Sequence, residues 1–225
     1  MHQNIASKYN IRGYPTIKYF PAGRKDHSTA EEYDGGRDAS GIISWALGKF
    51  AENLPAPEIV ELTEQKTLDD ACENKAICII AALPNILDCQ SKCRNNYLDI
   101  MKKLGEKYKR QQWGWLWAES MKQPEIENAL GIGGFGYPAM AAVNSRKGKY
   151  ILLRGSFSET GINEFLRDLS LGRGSSASLP NSKIPAVVKS EPWDGKDGQL
   201  VVDDDIDLSD ITLDDLDTDK PKTEL

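Results

Sequence analysis

Two cysteines four positions apart, in the stretch Cys89-Gln90-Ser91-Lys92-Cys93, lie between a continuous apolar run and a long amphipathic stretch. A thiol at the start of a helix ionises more readily, because unpaired N–H groups there stabilise the thiolate, and Lys92 and Arg94 add positive charge. The chemistry on offer is thiol–disulfide exchange, and helical spacing places the two side chains on one face. The other cysteines offer less. Cys78 sits inside the apolar run and reads as a small core hydrophobe, and Cys72, near a helix end, has no assignable chemistry. No spacing among the four matches a zinc site, and four are too few to staple a small secreted scaffold.

The elements around these residues repeat. Gly13-Tyr14-Pro15 runs into Thr16-Ile17-Lys18-Tyr19-Phe20, and Gly136-Tyr137-Pro138 runs into Ala139-Met140-Ala141-Ala142-Val143. Each is a turn that empties into a strand, because proline fixes its own φ and pushes the preceding residue into extended geometry. Each is followed by a basic turn, a second strand, a Gly-containing turn and a helix: Ala22-Gly23-Arg24-Lys25 through Leu47, then Arg146-Lys147-Gly148-Lys149 through Leu166. The copies lie 123 positions apart, the scale of one domain, so one domain type occurs twice. The second copy has a whole domain of chain ahead of it and the first only fourteen residues. The expectation is that the first unit lacks its front half and that Met1 marks a late start.

Read in order, residues 1–52 form an α-β-β-α half-domain whose strand Thr16–Phe20 lacks pairing partners, and Asp38 or Ser40 caps its last helix. Residues 53–57, with two prolines, are a stiff linker. A complete domain spans 58–170. Ile59–Leu62 is a strand, and Leu68–Glu73 a helix with Thr67 as cap. Ile77–Leu83 is a strand buried on both faces. Lys92–Tyr108 is a helix with a Leu98, Met101, Leu104 stripe. Trp113, Trp115 and Trp117 share one face of the next strand, where they form either a binding platform or, on the plainer reading, cover for the sheet beneath a helix. Gly131-Ile132-Gly133-Gly134 precedes a strand, the wrong context for a nucleotide loop. The order β-α-β-α-β-α-β-β-α makes an α/β domain with helices on both faces of one sheet.

Composition sets limits. The chain has 225 residues, 40% hydrophobic, and net charge −6. Residues 191–225 hold thirteen acidic and three basic side chains, leaving the rest at +4. No surface is basic enough for nucleic acid, the longest apolar run is too short to span a bilayer, and the N-terminus has no signal-peptide pattern. Residues 171–225 read as a flexible tail, with 171–192 a loose Gly/Ser/Pro-rich linker ahead of the acidic run.

The element order, with a proline just before the hairpin strand, resembles the thioredoxin superfamily. Ile132 to Met140, Trp113-Gly114-Trp115, Gly161 to Phe165 and Glu191-Pro192-Trp193-Asp194-Gly195 resemble, more narrowly, small endoplasmic-reticulum protein disulfide-isomerases with two redox domains followed by one non-redox domain. The resemblance implies a thioredoxin-like fold with cis peptide bonds before Pro15 and Pro138. It also implies polypeptide binding by strand addition at Tyr14, Pro15, Thr16, Tyr137 and Pro138. It departs from the family at one place that matters: no Cys-x-x-Cys occurs in the chain, whereas redox members carry Cys-Gly-His-Cys. The chain therefore resembles the last third or so of such a protein, has no catalytic residue of its own, and is expected to show little or no isomerase activity alone.

Cys89 and Cys93 stand where the superfamily puts its redox pair, with one residue too many between them. Three states are open: a structural disulfide, two inert thiols, or a weakly redox-active pair facing Pro138. Lys222-Thr223-Glu224-Leu225 resembles a retrieval signal of the endoplasmic reticulum, which implies a lumenal address, a retrieval receptor, and unfolded secretory polypeptides and chaperones as partners. No cofactor is expected beyond weak Ca²⁺ binding at Asp203, Asp204, Asp205 and Asp207, which lack EF-hand spacing. The alternative reading is a non-catalytic module that binds clients or chaperones near Phe135, Tyr137 and Pro138.

Overall fold

The computed structural model describes residues 3–23 and 25–200. The first unit contains α1 (Gln3–Lys8), β1 (Lys18–Tyr19), β2 (Glu31–Glu32) and α2 (Ala39–Glu52). β1 and β2 pair antiparallel, Lys18 opposite Glu32, with no further strand beside them among the described residues. Asp38 caps α2 by accepting from the Gly41 N–H. Ring contacts of Tyr9 with Phe20 and of Trp45 with Tyr19 and Tyr33 hold the unit together. Among the described hydrophobic residues of this unit only Ala51 is buried, and Ile43, Leu47 and Phe50 lie exposed along α2.

The second unit begins at β3 (Val60–Glu61) and continues through α3 (Gln65–Cys72), β4 (Cys78–Leu83), α4 (Ser91–Lys107), β5 (Gly114–Glu119), α5 (Pro124–Ala129), β6 (Ala139–Asn144), β7 (Lys149–Leu152), α6 (Glu159–Ser170) and β8 (Ala177–Ser178). Its six-stranded sheet has the order β3-β5-β4-β6-β7-β8. β3, β5 and β4 are parallel, and β6, β7 and β8 run antiparallel in turn.

Period-two alternation splits the core into two layers. Cys78, Ile80, Ala82, Leu116 and Ala118 face α3 and α5. Ile79, Ala81, Leu83 and the three tryptophans face Leu98, Met101 and Leu104 of α4 and Ile162 and Leu166 of α6. The tryptophan stripe thus covers the sheet beneath helices, as its alternation predicts. α3 starts two residues ahead of Thr67, with Glu64 at the cap position and no side-chain cap.

Two expectations need correction. Cys72 and Cys78 are joined to each other by a disulfide. The turn after α3 brings the helix end back onto the first residue of β4, so the two cysteines stitch helix to sheet. Gly114, opposite Cys78 in the ladder, leaves the room: a Cβ there would collide with the Ala71 carbonyl oxygen and Cys78 Sγ. The second correction concerns residues 171–200, which are packed rather than loose. β8 extends the sheet beyond β7, and Leu179 is buried with its N–H on the Gly148 carbonyl.

From Lys183 the chain returns along the β3 edge as a strap. The Val187 N–H donates to Gln65 Oε1 and the Val188 N–H to Gln123 Oε1. Gln123 Nε2 donates in turn to the carbonyls of Val188 and Leu62, and the Ser190 N–H reaches the Thr63 carbonyl. A short edge strand otherwise presents unpaired backbone; here the strap covers it. Its apolar anchors, Leu179, Ile184 and Val187 against one layer and Trp193 against the other, follow no helical or strand period, which is why composition alone reads as a linker.

Among the described residues no helix is long and apolar enough to cross a membrane, and no group of three or more His, Cys, Asp or Glu is placed to hold a metal ion. Asp203, Asp204, Asp205 and Asp207, and the retrieval-like Lys222, Thr223, Glu224 and Leu225, lie outside the described residues.

Candidate functional site

One end of the second sheet gathers the residues singled out by chemistry. β4 ends at Leu83, opposite Glu119 at the end of β5, and Ala82 pairs with Ala139 at the start of β6. Pro138, immediately before Ala139, follows a cis Tyr137–Pro138 peptide, and the Tyr14–Pro15 peptide of the first unit is also cis. Beyond β4, Asn85 organises the turn into α4. Its carbonyl accepts from the N–H groups of Asp88 and Cys89, its Oδ1 accepts from the Leu87 N–H, and its Nδ2 donates to Glu119 Oε1. Cys89 and Cys93 form a disulfide across the start of α4. Cys89 is buried and Cys93 half-buried.

Arg94 follows directly, but it does not serve the thiols. Its side chain is fully buried, with Nη2 donating to Glu119 Oε2 at 2.6 Å and to the Pro84 carbonyl at 3.0 Å. The guanidinium lies 5.5 Å from the centre of the Trp117 ring and 5.1 Å from that of Trp193. Aromatic faces attract a cation, and more strongly when water is excluded. Trp193 arrives on the strap, its backbone N–H donating to Glu61 Oε2 at 2.8 Å. Burial pushes the Glu61 carboxyl above its usual range, against the Trp193 N–H and the cations Lys122 and Arg94.

The strap then caps α4. Asp197 Oδ1 accepts from the Ser91 N–H at 2.8 Å, and the Gly198 N–H donates to Gln90 Oε1 at 2.8 Å. These bonds to Ser91 hold the Asp197 carboxyl below its usual range.

The loop before Pro138 is a tight Gly133-Gly134-Phe135-Gly136 turn. Gly133 and Gly136 have φ of +90° and +92° and form an isolated bridge, geometry that favours glycine. Phe135 at its tip is 100% exposed. The Tyr137 hydroxyl donates to Glu127 Oε2 at 2.6 Å, while Glu127 Oε1 accepts from the Met121 N–H. A side chain at Gly133 would strike the Tyr137 hydroxyl, so this glycine is set by the clamp as well as by the turn.

Burial, then the Glu127 carboxylate, push the Tyr137 phenol up to about 12. A raised folded pKa contributes stability that is complete below the unfolded value of about 10 and is lost as pH rises through about 12. An absorbance titration at 295 nm is expected to resolve Tyr137 as the latest phenol, with burial also raising Tyr108, and Glu127→Gln to return Tyr137 towards the others. A single unshifted population would disprove the clamp.

In the first unit, Tyr14 is 76% exposed. Thr16 Oγ1 donates to the Gly13 carbonyl at 2.7 Å, and Arg37 Nη2 donates to the Pro15 carbonyl at 3.2 Å. Tyr14, Pro15 and Thr16 line an open cleft of about 320 Å³ with Glu32, Tyr33 and Arg37. Tyr137, Pro138, Cys89 and Cys93 therefore share one end of the second sheet, and Tyr14, Pro15 and Thr16 form the corresponding corner of the first unit. Sequence reasoning missed the Arg94–Glu119 pair and the Asp197 cap, because their partners lie 25 and 106 positions away.

A central sheet flanked by helices, with a cis proline opening the hairpin strand beside the N-terminus of α4, defines a thioredoxin-like domain. The family described as "PDIA6-like, C-terminal thioredoxin-like domain" matches residues 49–174, and the chain belongs to it. It is 58% identical over 213 residues to "Protein disulfide-isomerase A6 homolog" of Drosophila melanogaster, covering 95% of this chain and 49% of that protein. It is 54% identical over 220 residues to human "Protein disulfide-isomerase A6", covering 98% of this chain and 49% of that one. The chain thus spans about half the length of these relatives, more than the third or so expected from its motifs. Among solved structures, the bb fragment of ERp72 aligns with TM-score 0.42 and 14% identity, covering 77% of this chain and 74% of that one.

Proposed function

We propose that this chain forms the carboxyl-terminal part of a protein disulfide-isomerase of the endoplasmic-reticulum lumen, and that residues 58–200 hold folding secretory polypeptides without exchanging their disulfides. Phe135 carries this reading: it stands fully exposed on a loop pinned by the glycine bridge and by the Tyr137–Glu127 hydrogen bond. A rigid aromatic offers large contact area with little entropy to lose on binding. Beside it, Pro138 opens the hairpin strand, where an extended client can add backbone hydrogen bonds.

Three features favour holding over catalysis: the closed disulfide, its spacing one residue longer than Cys-x-x-Cys, and an Arg94 committed to Glu119. Disulfide exchange belongs, on this reading, to redox domains of the intact protein, whose helix-terminal thiolate attacks a client disulfide before a second cysteine resolves the mixed disulfide. Lys222–Leu225 supply retrieval through a receptor, chaperones of the lumen are partners, and the aspartates from Asp203 to Asp207 bind Ca²⁺ weakly.

The test uses the full chain against an aggregating reduced client, with insulin reduction measured in parallel. Wild type is expected to delay aggregation. Phe135→Ser should be several-fold weaker at unchanged melting temperature, since an exposed side chain contributes within about 0.5 kcal/mol to stability. Insulin reduction should match buffer for wild type and for Cys89→Ser/Cys93→Ser alike. Turnover that disappears in the double variant would replace holding with catalysis.

A further inference from the structure

We propose that the Cys89–Cys93 disulfide fastens the carboxyl-terminal strap, residues 191–200, to the start of α4, and that reduction by a dithiol of the thioredoxin class releases it. The strap's last two bonds land inside the ring that this disulfide closes: Gly198 on Gln90 and Asp197 on Ser91. Gln90 is held extended, at φ −50° and ψ 170°, and makes no side-chain cap bond of its own. A helix start normally takes its cap from the adjacent residue; α4 takes its cap from Asp197. Within the strap, Trp193 Nε1 and the Lys196 N–H bond locally, to the Lys196 carbonyl and Asp194, and the Trp193 N–H is held by Glu61, so the polar docking of residues 197–198 rests on the Gln90–Ser91 turn. Gly198 also sits so close to Ile86 and Leu87 that a Cβ would come within 2.9 Å of each. Upstream, Trp193 rests on Arg94, the residue after Cys93. The Asp197–Gly198 end of the contact is thus registered by the disulfide turn, and the Trp193 end by Arg94 just beyond it.

The exchange balances. A thiolate of the dithiol attacks the half-buried Cys93 Sγ, and Cys89 departs as a thiolate. The dithiol's second sulfur, deprotonated, attacks its own sulfur in the mixed disulfide and expels Cys93. The dithiol leaves oxidised; two electrons and its two protons pass to Cys89 and Cys93.

Reduction then acts on the strap through the turn: opening the ring returns rotational freedom to Gln90 and Ser91.

Binding linkage makes the coupling reciprocal: if the disulfide favours docking, docking favours the disulfide by the same factor. The full chain is titrated with reduced and oxidised dithiothreitol, with alkylation and mass spectrometry reading each cysteine and amide exchange reading the strap and β4. Expected are alkylation of Cys89 and Cys93 with Cys72 and Cys78 still bonded, and exchange across 194–198 faster by roughly tenfold while β4 stays protected. Asp197→Ala, with the disulfide intact, should make the pair easier to reduce by a similar factor; tenfold corresponds to about 30 mV for two electrons. The proposal fails if the strap's protection is unchanged on reduction. It fails if Asp197→Ala leaves the midpoint where it was, or if the pair yields only as β4 unfolds or Cys72 and Cys78 become labelled.

Discussion

Glu119→Ala should destabilise the second unit by about 3–5 kcal/mol, because it strands a buried cation. The Arg94 side chain is fully buried and that of Glu119 is 8% exposed. Among the described residues Arg94 Nε and Nη1 have no hydrogen-bond partner, so Glu119, the Pro84 carbonyl and the two tryptophan faces supply its direct compensating contacts. Removing the carboxylate leaves the desolvation cost of the guanidinium in place and deletes its main offset. It also frees Asn85 Nδ2, which donates to the other carboxylate oxygen and helps shape the turn that leads to Cys89.

The decisive comparison is with Arg94→Met/Glu119→Leu. Apolar replacement of both members of a buried pair is often neutral or stabilising, so the double variant should recover most of the loss in urea denaturation. A double variant as unstable as the single would mean that Arg94 contributes through its geometry rather than through an ion pair. The exposed Lys66–Asp70 pair, with side chains 74% and 66% exposed, is the contrast: its loss should leave the urea midpoint essentially unchanged, because solvent screens it.

The difference between these two pairs also shows what the sequence could reveal. Lys66 and Asp70 are four apart on one helix and visible as a pair. Arg94 and Glu119 sit on different elements, and nothing local marks either as buried. The same distinction runs through the fold. The Ile77–Leu83 run and the alternating tryptophans have periods of their own, and each became the strand that its pattern predicts. The two Tyr-Pro steps are cis, as the thioredoxin resemblance implies. The strap has no period because it is held by single anchors, a Leu179 here and a Trp193 there, each answering a partner far away in the chain. Cys72 and Cys78 face a related difficulty: their pairing depends on how α3 turns back onto β4, and on the bare Gly114 opposite, neither of which spacing expresses. Arg94 was legible as a charge beside a thiol, yet its length let it reach the end of β5 instead.

The second large effect is expected from Trp115→Ala, at about 3–5 kcal/mol. The three tryptophans share a face but not a role. Trp113 stacks on Tyr108, with centroids 5.8 Å apart and planes 12° from parallel. Trp117 faces Arg94 and meets Trp193 edge-on at 6.3 Å. Trp115 lies between them, 2% exposed and the largest of the fully buried side chains. A Cβ added at Gly105 of α4 would lie 3.7 Å from its ring, so the helix rides directly on this indole. Truncation would leave a cavity under the carboxyl-terminal end of α4, and a close-packed interior collapses only partly into such a void. Urea unfolding followed by circular dichroism checks the value, with an unchanged slope showing that the loss is one of stability. Because α4 carries Cys93 and Arg94 at its other end, the same variant should also weaken strap docking, read as faster amide exchange across 194–198. A loss below about 1 kcal/mol would contradict a sheet–helix contact built on Trp115, whereas a full loss with the strap still protected would place the start of α4 under the control of its own disulfide turn rather than of the core beneath it.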